Sequence, residues 1–210
     1  MTTLRIAVLG AGNIGGTLGR KWVAAGHQVA FGVTDAASPR AQALRSDLGQ
    51  GATIGGIAEA LAASAVVVLA IPGGAIDELL ASSASQLDGK VVVDATNRMG
   101  SASMNSVAAI SAVAPHAQVY RAFNSLGWEN FADPVFNGVQ ADLFYAGPDD
   151  GAGSGARATV EQLIGDVGLR PVYVGGPDKV GVVDAVASLW FALALGQGKG
   201  RRLAFKTLMP

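Results

Sequence analysis

The stretch Leu4-Arg5-Ile6-Ala7-Val8-Leu9-Gly10-Ala11-Gly12-Asn13-Ile14-Gly15 decides how the chain is to be read. Its first half is a short apolar run with β-branched residues, the composition of a buried strand. Its second half is a glycine loop, and Leu18, Trp22 and Ala25 then recur at helical spacing until Gly26 offers a stop. Gly10 permits the tight turn out of the strand, Gly12 lets the backbone approach a pyrophosphate without a Cβ, and Gly15 lets the helix pack on the strand. Ala11, Asn13 and Ile14 complete the loop, and amides at the helix start face the phosphates. Such a loop alone carries little weight. Set between a strand and a helix, it predicts a unit that binds a nicotinamide dinucleotide.

Outward from it, strand and helix keep alternating. Gln28–Val33 reads as a strand, and Ser38-Pro39 opens a helix towards Leu48. A short strand over Ala52–Ile54 and a short helix over Ile57–Ala63 lead to the apolar strand Ala65–Ile71, which ends in Pro72-Gly73-Gly74. A helix over Ala75–Ser83, a strand over Lys90–Asp94, a helix over Ser103–Val113 and a strand over Val119–Phe123 follow. Continuous apolar strands separated by helices imply a parallel sheet covered on both faces. The predicted class is α/β, a doubly wound, mostly parallel Rossmann sheet with a short helical C-terminal extension.

Past Phe123 the pattern thins to a strand over Leu143–Ala146, a helix over Ala156–Val167 and a strand over Pro171–Val174. Val182–Leu195 reads as a helix apolar on nearly every face. With no linker or repeat in view, residues 1–210 read as one domain whose extension begins at about residue 177. A helix so apolar needs cover, and a second subunit supplies it, so a homodimer through this helix is expected.

Composition narrows the function. Only 15% of residues are charged and the net charge is −1, so no basic face for nucleic acid or acidic membrane is expected. The absence of cysteine excludes disulfides, thiolate metal sites and a cysteine nucleophile. Two isolated histidines, His27 and His116, both read as residues of turns and connections, and no acidic residues cluster, so no metal site is expected. The start lacks the marks of a secretory signal. The run Ala185–Leu195 falls short of the roughly 20 residues that span a bilayer, so the expectation is a cytoplasmic protein with no membrane partner.

Parallel strands present their C-terminal edges to the ligand. In Gly32-Val33-Thr34-Asp35, Asp35 has the distance from the loop to bind the ribose hydroxyl of NAD(H). Thr34, Ser38 and Arg40 instead make a modest pocket for the 2′-phosphate of NADP(H), and the residues alone leave the two open. Ala70, Ile71 and Pro72 fall against ribose and pyrophosphate, while Asn97 and Asn124 fall nearer the nicotinamide. Asn124 suits a carboxamide because an amide offers both a donor and an acceptor.

Together Gly10-Ala11-Gly12-Asn13-Ile14-Gly15, Ala70-Ile71-Pro72, Asp94-Ala95-Thr96-Asn97 and Arg121-Ala122-Phe123-Asn124 resemble the NADPH-dependent deazaflavin-coenzyme (coenzyme F420) reductases. They are similar also to the cytosolic oxidoreductase domain of the six-transmembrane metalloreductases. The resemblance extends through Ala146-Gly147 to the ending Gly196-Gln197-Gly198 and Phe205-Lys206. It implies hydride exchange between NADP(H) and a small-molecule acceptor, a flavin or deazaflavin, as co-substrate. The cofactors carry that chemistry and the protein aligns two rings. It further implies that Asn13 and Ile14 contact the pyrophosphate and that Pro72 and Asn124 border the nicotinamide. Relatives that prefer NADP place an arginine where this chain has Thr34, a place Arg40 would have to fill.

No catalytic residue stands out. Lys179, at the start of the last helix, supports an alternative carbonyl or imine reductase, and the scarcity of acid–base groups supports a non-catalytic NADP(H) sensor. Trp128 and Phe131 read either as an apolar wall for a planar acceptor or as core, and Trp190 as core or dimer contact. Arg201, Arg202 and Lys206 read as a solvated basic tail.

Overall fold

A computed structural model describes residues 2–150 and 155–208. β1 (Arg5–Leu9) sends Ile6 and Val8 into one core layer and Ala7 and Leu9 into the other, all fully buried. A strand covered on both faces has no polar side, which is why its sequence does not alternate. Around it stand α1 (Asn13–Ala24), β2 (Gln28–Gly32), α2 (Pro39–Leu48), β3 (Ala52–Gly55), α3 (Ile57–Ala62), β4 (Val66–Leu69) and α4 (Ile76–Leu87). β5 (Val91–Asp94), α5 (Val107–Val113) and β6 (Gln118–Arg121) complete a six-stranded sheet in the order β3-β2-β1-β4-β5-β6, every pair parallel. The order reverses between β1 and β4. The crevice at their C-terminal edges is therefore the place where this architecture takes a ligand.

The expected helix over Ser103–Val113 forms only from Val107. Short polar side chains compete for the backbone before it: Val107 N–H donates to Asn105 Oδ1 at 3.1 Å, and Ser106 N–H donates to Asp94 Oδ2 at 2.6 Å. β6 stops at Arg121 rather than Phe123, because Phe123 turns the chain in the left-handed region (φ 60°).

Beyond β6 come α6 (Trp128–Ala132), β7 (Val135–Phe136), β8 (Val139–Gln140), β9 (Asp142–Tyr145), α7 (Gly155–Val167) and β10 (Arg170–Tyr173). α6 and the β7–β8 hairpin were not foreseen. β9 and β10 pair in parallel with each other and join the main sheet through Arg121 and Ala146, whose backbones exchange hydrogen bonds of 2.8 and 3.1 Å. α8 (Val180–Phe191) continues into a π-helical turn over Ala192–Gly196.

The helical stretch Pro177–Gly196 is 20 residues long with a mean hydropathy of 1.6, longer than the sequence run suggested and long and apolar enough to cross a membrane. Its Val183, Ala187, Trp190 and Ala194 are buried in the domain, while Val182, Leu189 and Leu195 remain about half exposed.

The C-terminal tail is tied down at Asp142. This buried carboxylate accepts from Arg170 Nε and Nη2 at 2.6 Å each, from Lys206 Nζ at 3.0 Å and from Thr207 N–H at 2.6 Å. Burial pushes its pKa up, but these donors outweigh burial and hold it well below the usual carboxylate range. A depressed pKa stabilises the fold above the unfolded value of about 3.9, and the gain is lost as the pH falls below it. Asp142→Asn should therefore lower stability by roughly 2 kcal/mol at neutral pH, less than for a fully enclosed pair because Arg170 and Lys206 stay partly in water. In urea titrations the gap from the wild type should narrow by about pH 3; a gap independent of pH refutes the assignment.

Candidate functional site

Two of the three loop glycines are explained by the protein itself. Gly10 has φ 102°, and a Cβ there would lie 2.5 Å from the Ala70 carbonyl oxygen. A Cβ on Gly15 would lie 2.1 Å from the Gly10 oxygen, so α1 could not sit so close to β1. Gly12 is different. Its backbone is ordinary (φ −69°), and the nearest atom to a Cβ would be Arg40 Nη1 at 4.0 Å. Nothing in the chain forbids a side chain at Gly12. It is also the residue that caps α1, and it brings no side chain to accept from the first-turn amides. A bare backbone with donors turned outward fits a diphosphate.

Beside the loop opens a cavity of about 590 Å³. Gly10, Ala11 and Gly12 wall one side, Thr34, Asp35 and Arg40 a second, and Ala70, Ile71 and Pro72 a third. Asp35 is occupied: its Oδ1 accepts from Ala37 N–H at 2.8 Å, and its carbonyl accepts from Ser38 Oγ at 2.8 Å. Ser38 Oγ in turn accepts from Ala41 N–H at 3.4 Å and so caps α2. Arg40, one residue into that helix beyond Pro39, is exposed and makes no ion pair among the described residues. At the end of β2, Arg40 therefore brings a positive charge to the cavity wall beside the Asp35 carboxylate. Asn13 and Ile14 occupy the first turn of α1, Asn13 exposed and Ile14 half buried. Asn13 faces a second cleft of about 320 Å³ that Arg20, Arg40 and Trp128 also line.

Asn97 and Asn124 lie apart from that cavity, past the ends of β5 and β6, where the chain has built a buried polar cluster. At its centre is Arg121, fully buried. A guanidinium has five N–H donors; four make hydrogen bonds here, and the carboxylates of Asp184 and Asp94 lie beside it. Nε and Nη2 reach Asp184 Oδ1 at 2.8 Å, Nη1 reaches the carbonyls of Asp94 and Thr96 at 3.1 and 2.5 Å, and Nη2 also reaches Asn97 Oδ1 at 2.9 Å. Asn97 Nδ2 donates to the Asn124 carbonyl at 3.1 Å. Asn124 Nδ2 donates to Asp184 Oδ1 at 3.3 Å, and Asn105 Nδ2 donates to Asp184 Oδ2 at 2.7 Å. Asn124 Oδ1 is left buried with no partner. Such an acceptor costs about 1–3 kcal/mol unless a donor arrives. The carboxamide of a nicotinamide is a donor of the kind it lacks.

Sequence reasoning missed the ionic members of this cluster. Asp94 and Arg121 stood inside quoted segments without a role, and Asn105 and Asp184 were not singled out. Asp184 carried a usable signal: it is the single charge between Val180 and Gly196.

The residues held in reserve are now placed. His27 lies in the connection between α1 and β2, as expected, and there is a buried tie: Nε2 lies 2.8 Å from Asp166 Oδ2, and Nδ1 accepts from Leu4 N–H at 3.1 Å. His116 is exposed and pairs with Asp88 at 2.9 Å, which draws the Asp88 pKa down. Lys179 pairs with Asp178 at 2.8 Å at the solvated start of α8. Phe131 is core, edge-on to Phe123 at 5.7 Å, whereas Trp128 stays partly open beside α1. Trp190 is core, its indole N–H donating to the Leu203 carbonyl at 2.7 Å. Arg201, Arg202 and Lys206 lie on an exposed face, as expected, and each also pairs with a carboxylate, of Glu129, Asp133 and Asp142 respectively.

Residues 5–98 match the model of the family described as NADP oxidoreductase, coenzyme F420-dependent. Among solved structures, the chain is similar to a proposed F420-dependent NADP-reductase from Arthrobacter sp. FB24, at 24% identity over 98% of this chain and 100% of that one, with a TM-score of 0.84. It is similar also to the hypothetical protein SMa0349 from Sinorhizobium meliloti, at 26% identity over 100% and 97% of the two chains, with a TM-score of 0.69. A reductive aminase from Aspergillus terreus in complex with NADPH and ethyl-5-oxohexanoate aligns at 22% identity and a TM-score of 0.69, covering 93% of this chain and 64% of the aminase. Comparison with curated protein sequences gives no match. The fold is that of an NAD(P)-binding Rossmann protein.

The contrast between Gly12 and Gly15 is directly testable. Gly12→Val should leave the thermal midpoint nearly unchanged and weaken NADPH binding more than tenfold by calorimetry, whereas Gly15→Val should destabilise the fold itself. Undiminished binding by Gly12→Val would remove the loop from the site.

Proposed function

With residues 5–98 matching that family's model as premise, we propose that the chain passes hydride between NADP(H) and a flavin-like or deazaflavin acceptor. The match over residues 5–98 supports the oxidoreductase class and the use of NADP; the acceptor and the residue roles are this reading's own. The single observation that carries it is the bare backbone at Gly12, which opens α1 beside the cavity although nothing in the chain forbids a side chain there; the unpaired buried oxygen of Asn124, past the end of β6, supports it separately.

The amides that open α1, from Asn13 and Ile14, would hold the pyrophosphate against Gly10, Ala11 and Gly12. Arg40, with Thr34 and Ser38 beside it, would take the 2′-phosphate. Asp35, the competing partner for an unphosphorylated ribose, has one of its two carboxylate oxygens drawn into the turn by Ala37 N–H. Pro72 and Asn124 would border the nicotinamide, and Asn97 keeps Asn124 in place through its carbonyl. Bound nicotinamide supplies the hydride, so the chain's task is orientation and exclusion of water. Asp94, Arg121 and Asp184 are committed to one another, which favours an acceptor that needs no proton from the protein. Trp128 offers a partly exposed ring beside the loop for such a planar acceptor.

A second copy of the chain would cover the outer face of α8, where Val182, Leu189 and Leu195 are 48, 50 and 53% exposed. Light scattering should give twice the chain mass, and Leu189→Glu should shift it to the monomer; a monomeric wild type refutes the dimer.

Stopped-flow oxidation of NADPH should proceed with the deazaflavin coenzyme, FMN or riboflavin. Arg40→Ala should weaken NADPH about tenfold and leave NADH binding unchanged. Tight NADPH binding with no turnover by any of the three favours a dinucleotide sensor, and an equal loss for both nucleotides removes Arg40 from the 2′-phosphate.

A further inference from the structure

Asp184 sits on α8, far along the chain from the glycine loop, and no part of the reading above needs it to touch a ligand. Its side chain is 13% exposed and collects donors from three directions. Arg121 comes from the end of β6, Asn105 from the connection before α5, and Asn124 from the loop after β6. Arg121 would keep a carboxylate even without it, because Asp94 Oδ2 lies 3.3 Å from Nη1. The contact with no substitute is the one to Asn124.

An asparagine amide has two ends, and either end can face a given neighbour unless that neighbour selects one. A carboxylate selects. Asp184 Oδ1 accepts only from Nδ2, so Oδ1 of Asn124 is turned the other way and left bare in a buried setting. Asn97 cannot set this choice, because it donates to the backbone carbonyl of Asn124 and not to its side chain. Phe123, held in the left-handed region just before, and Ser125, fully buried just after, keep the backbone of the loop in place.

We infer that Asp184 is a positioning residue for the nicotinamide end of the coenzyme: it fixes the amide of Asn124 so that its oxygen is presented to the carboxamide NH2. The residue links the C-terminal helix, through one hydrogen bond, to recognition of the coenzyme's reactive ring. Without Asp184 the Asn124 amide is free to turn over and offer a donor where an acceptor is needed. The inference rests on the proposed NADP(H) function and adds the residue that orients its carboxamide contact.

The test uses three probes on the full chain: NADP+, its acetylpyridine analogue with a methyl in place of the carboxamide NH2, and 2′-phospho-ADP-ribose, which lacks the ring. Wild type should bind the analogue about tenfold more weakly than NADP+, the loss of one hydrogen bond to a fixed acceptor. Asp184→Ala should close that gap by weakening NADP+ about tenfold, with 2′-phospho-ADP-ribose unchanged. Should that variant fail to fold, Asn105→Ala loosens Asp184 while sparing its pair with Arg121, and it should weaken NADP+ alone about threefold. Equal binding of NADP+ and the analogue by wild type overturns the inference, as does a variant that weakens all three probes together, the mark of a merely structural role. A gap that survives in both variants overturns it too. If wild type binds neither NADP+ nor 2′-phospho-ADP-ribose, the proposed function falls and this falls with it; binding of both without discrimination removes only the part given to Asp184.

Discussion

A guanidinium with no exposure to water has to be answered by acceptors and countercharge, and Arg121 has four hydrogen bonds and two carboxylates around it. Removing one partner of such a group would cost about 3–5 kcal/mol, so the elements supplying its acceptors are held in fixed relation. Those elements are the ends of β5 and β6, the loop through Asn97, and α8. The C-terminal helix is thus locked to the sheet by charge on the side where the sheet presents its ligand edge. Its apolar residues Val183, Ala187, Trp190 and Ala194 pack beneath the same lock.

In the proposed reading the phosphate and nicotinamide ends of the coenzyme call for different chemistry, for a physical reason. A diphosphate is a diffuse anion, and backbone amides at a helix start meet it with no side chain to hold still. What that end requires is space, and Gly12 supplies it. A nicotinamide ring must be held in one orientation, which calls for a donor and an acceptor on known sides. Directional groups are only as fixed as what stands behind them, hence the second layer of Asp184, Asn105 and Asn97 behind Asn124.

The fold was legible because its signals are local. Strand, glycine loop and helix are contiguous, each apolar strand is buried on both faces, and Ser38-Pro39 marks a helix start that the structure places there. That Gly10 to Gly12 and Ala70 to Pro72 come to one cavity was legible for the same reason, since both are short segments at adjoining strand ends. The failures were of two kinds. The β7–β8 hairpin announces itself through Asn137-Gly138, both at positive φ, and was passed over in a stretch of weak patterning. The helix expected over Ser103–Val113 lost its first residues because Ser106 and Asn105 serve the buried cluster, a tertiary demand that periodicity does not carry.

Asp184 belongs to neither kind. Its partners stand 60, 63 and 79 residues away, so no spacing rule reaches it. What marks it is cost: a lone carboxylate in a helix otherwise apolar from Val180 to Gly196 is tolerable only if something buried answers it. A single charge in an apolar helix is a question addressed to the rest of the chain. Here the answer is Arg121, at the end of the last main-sheet strand, and the same carboxylate ties α8 to the loop that carries Asn124.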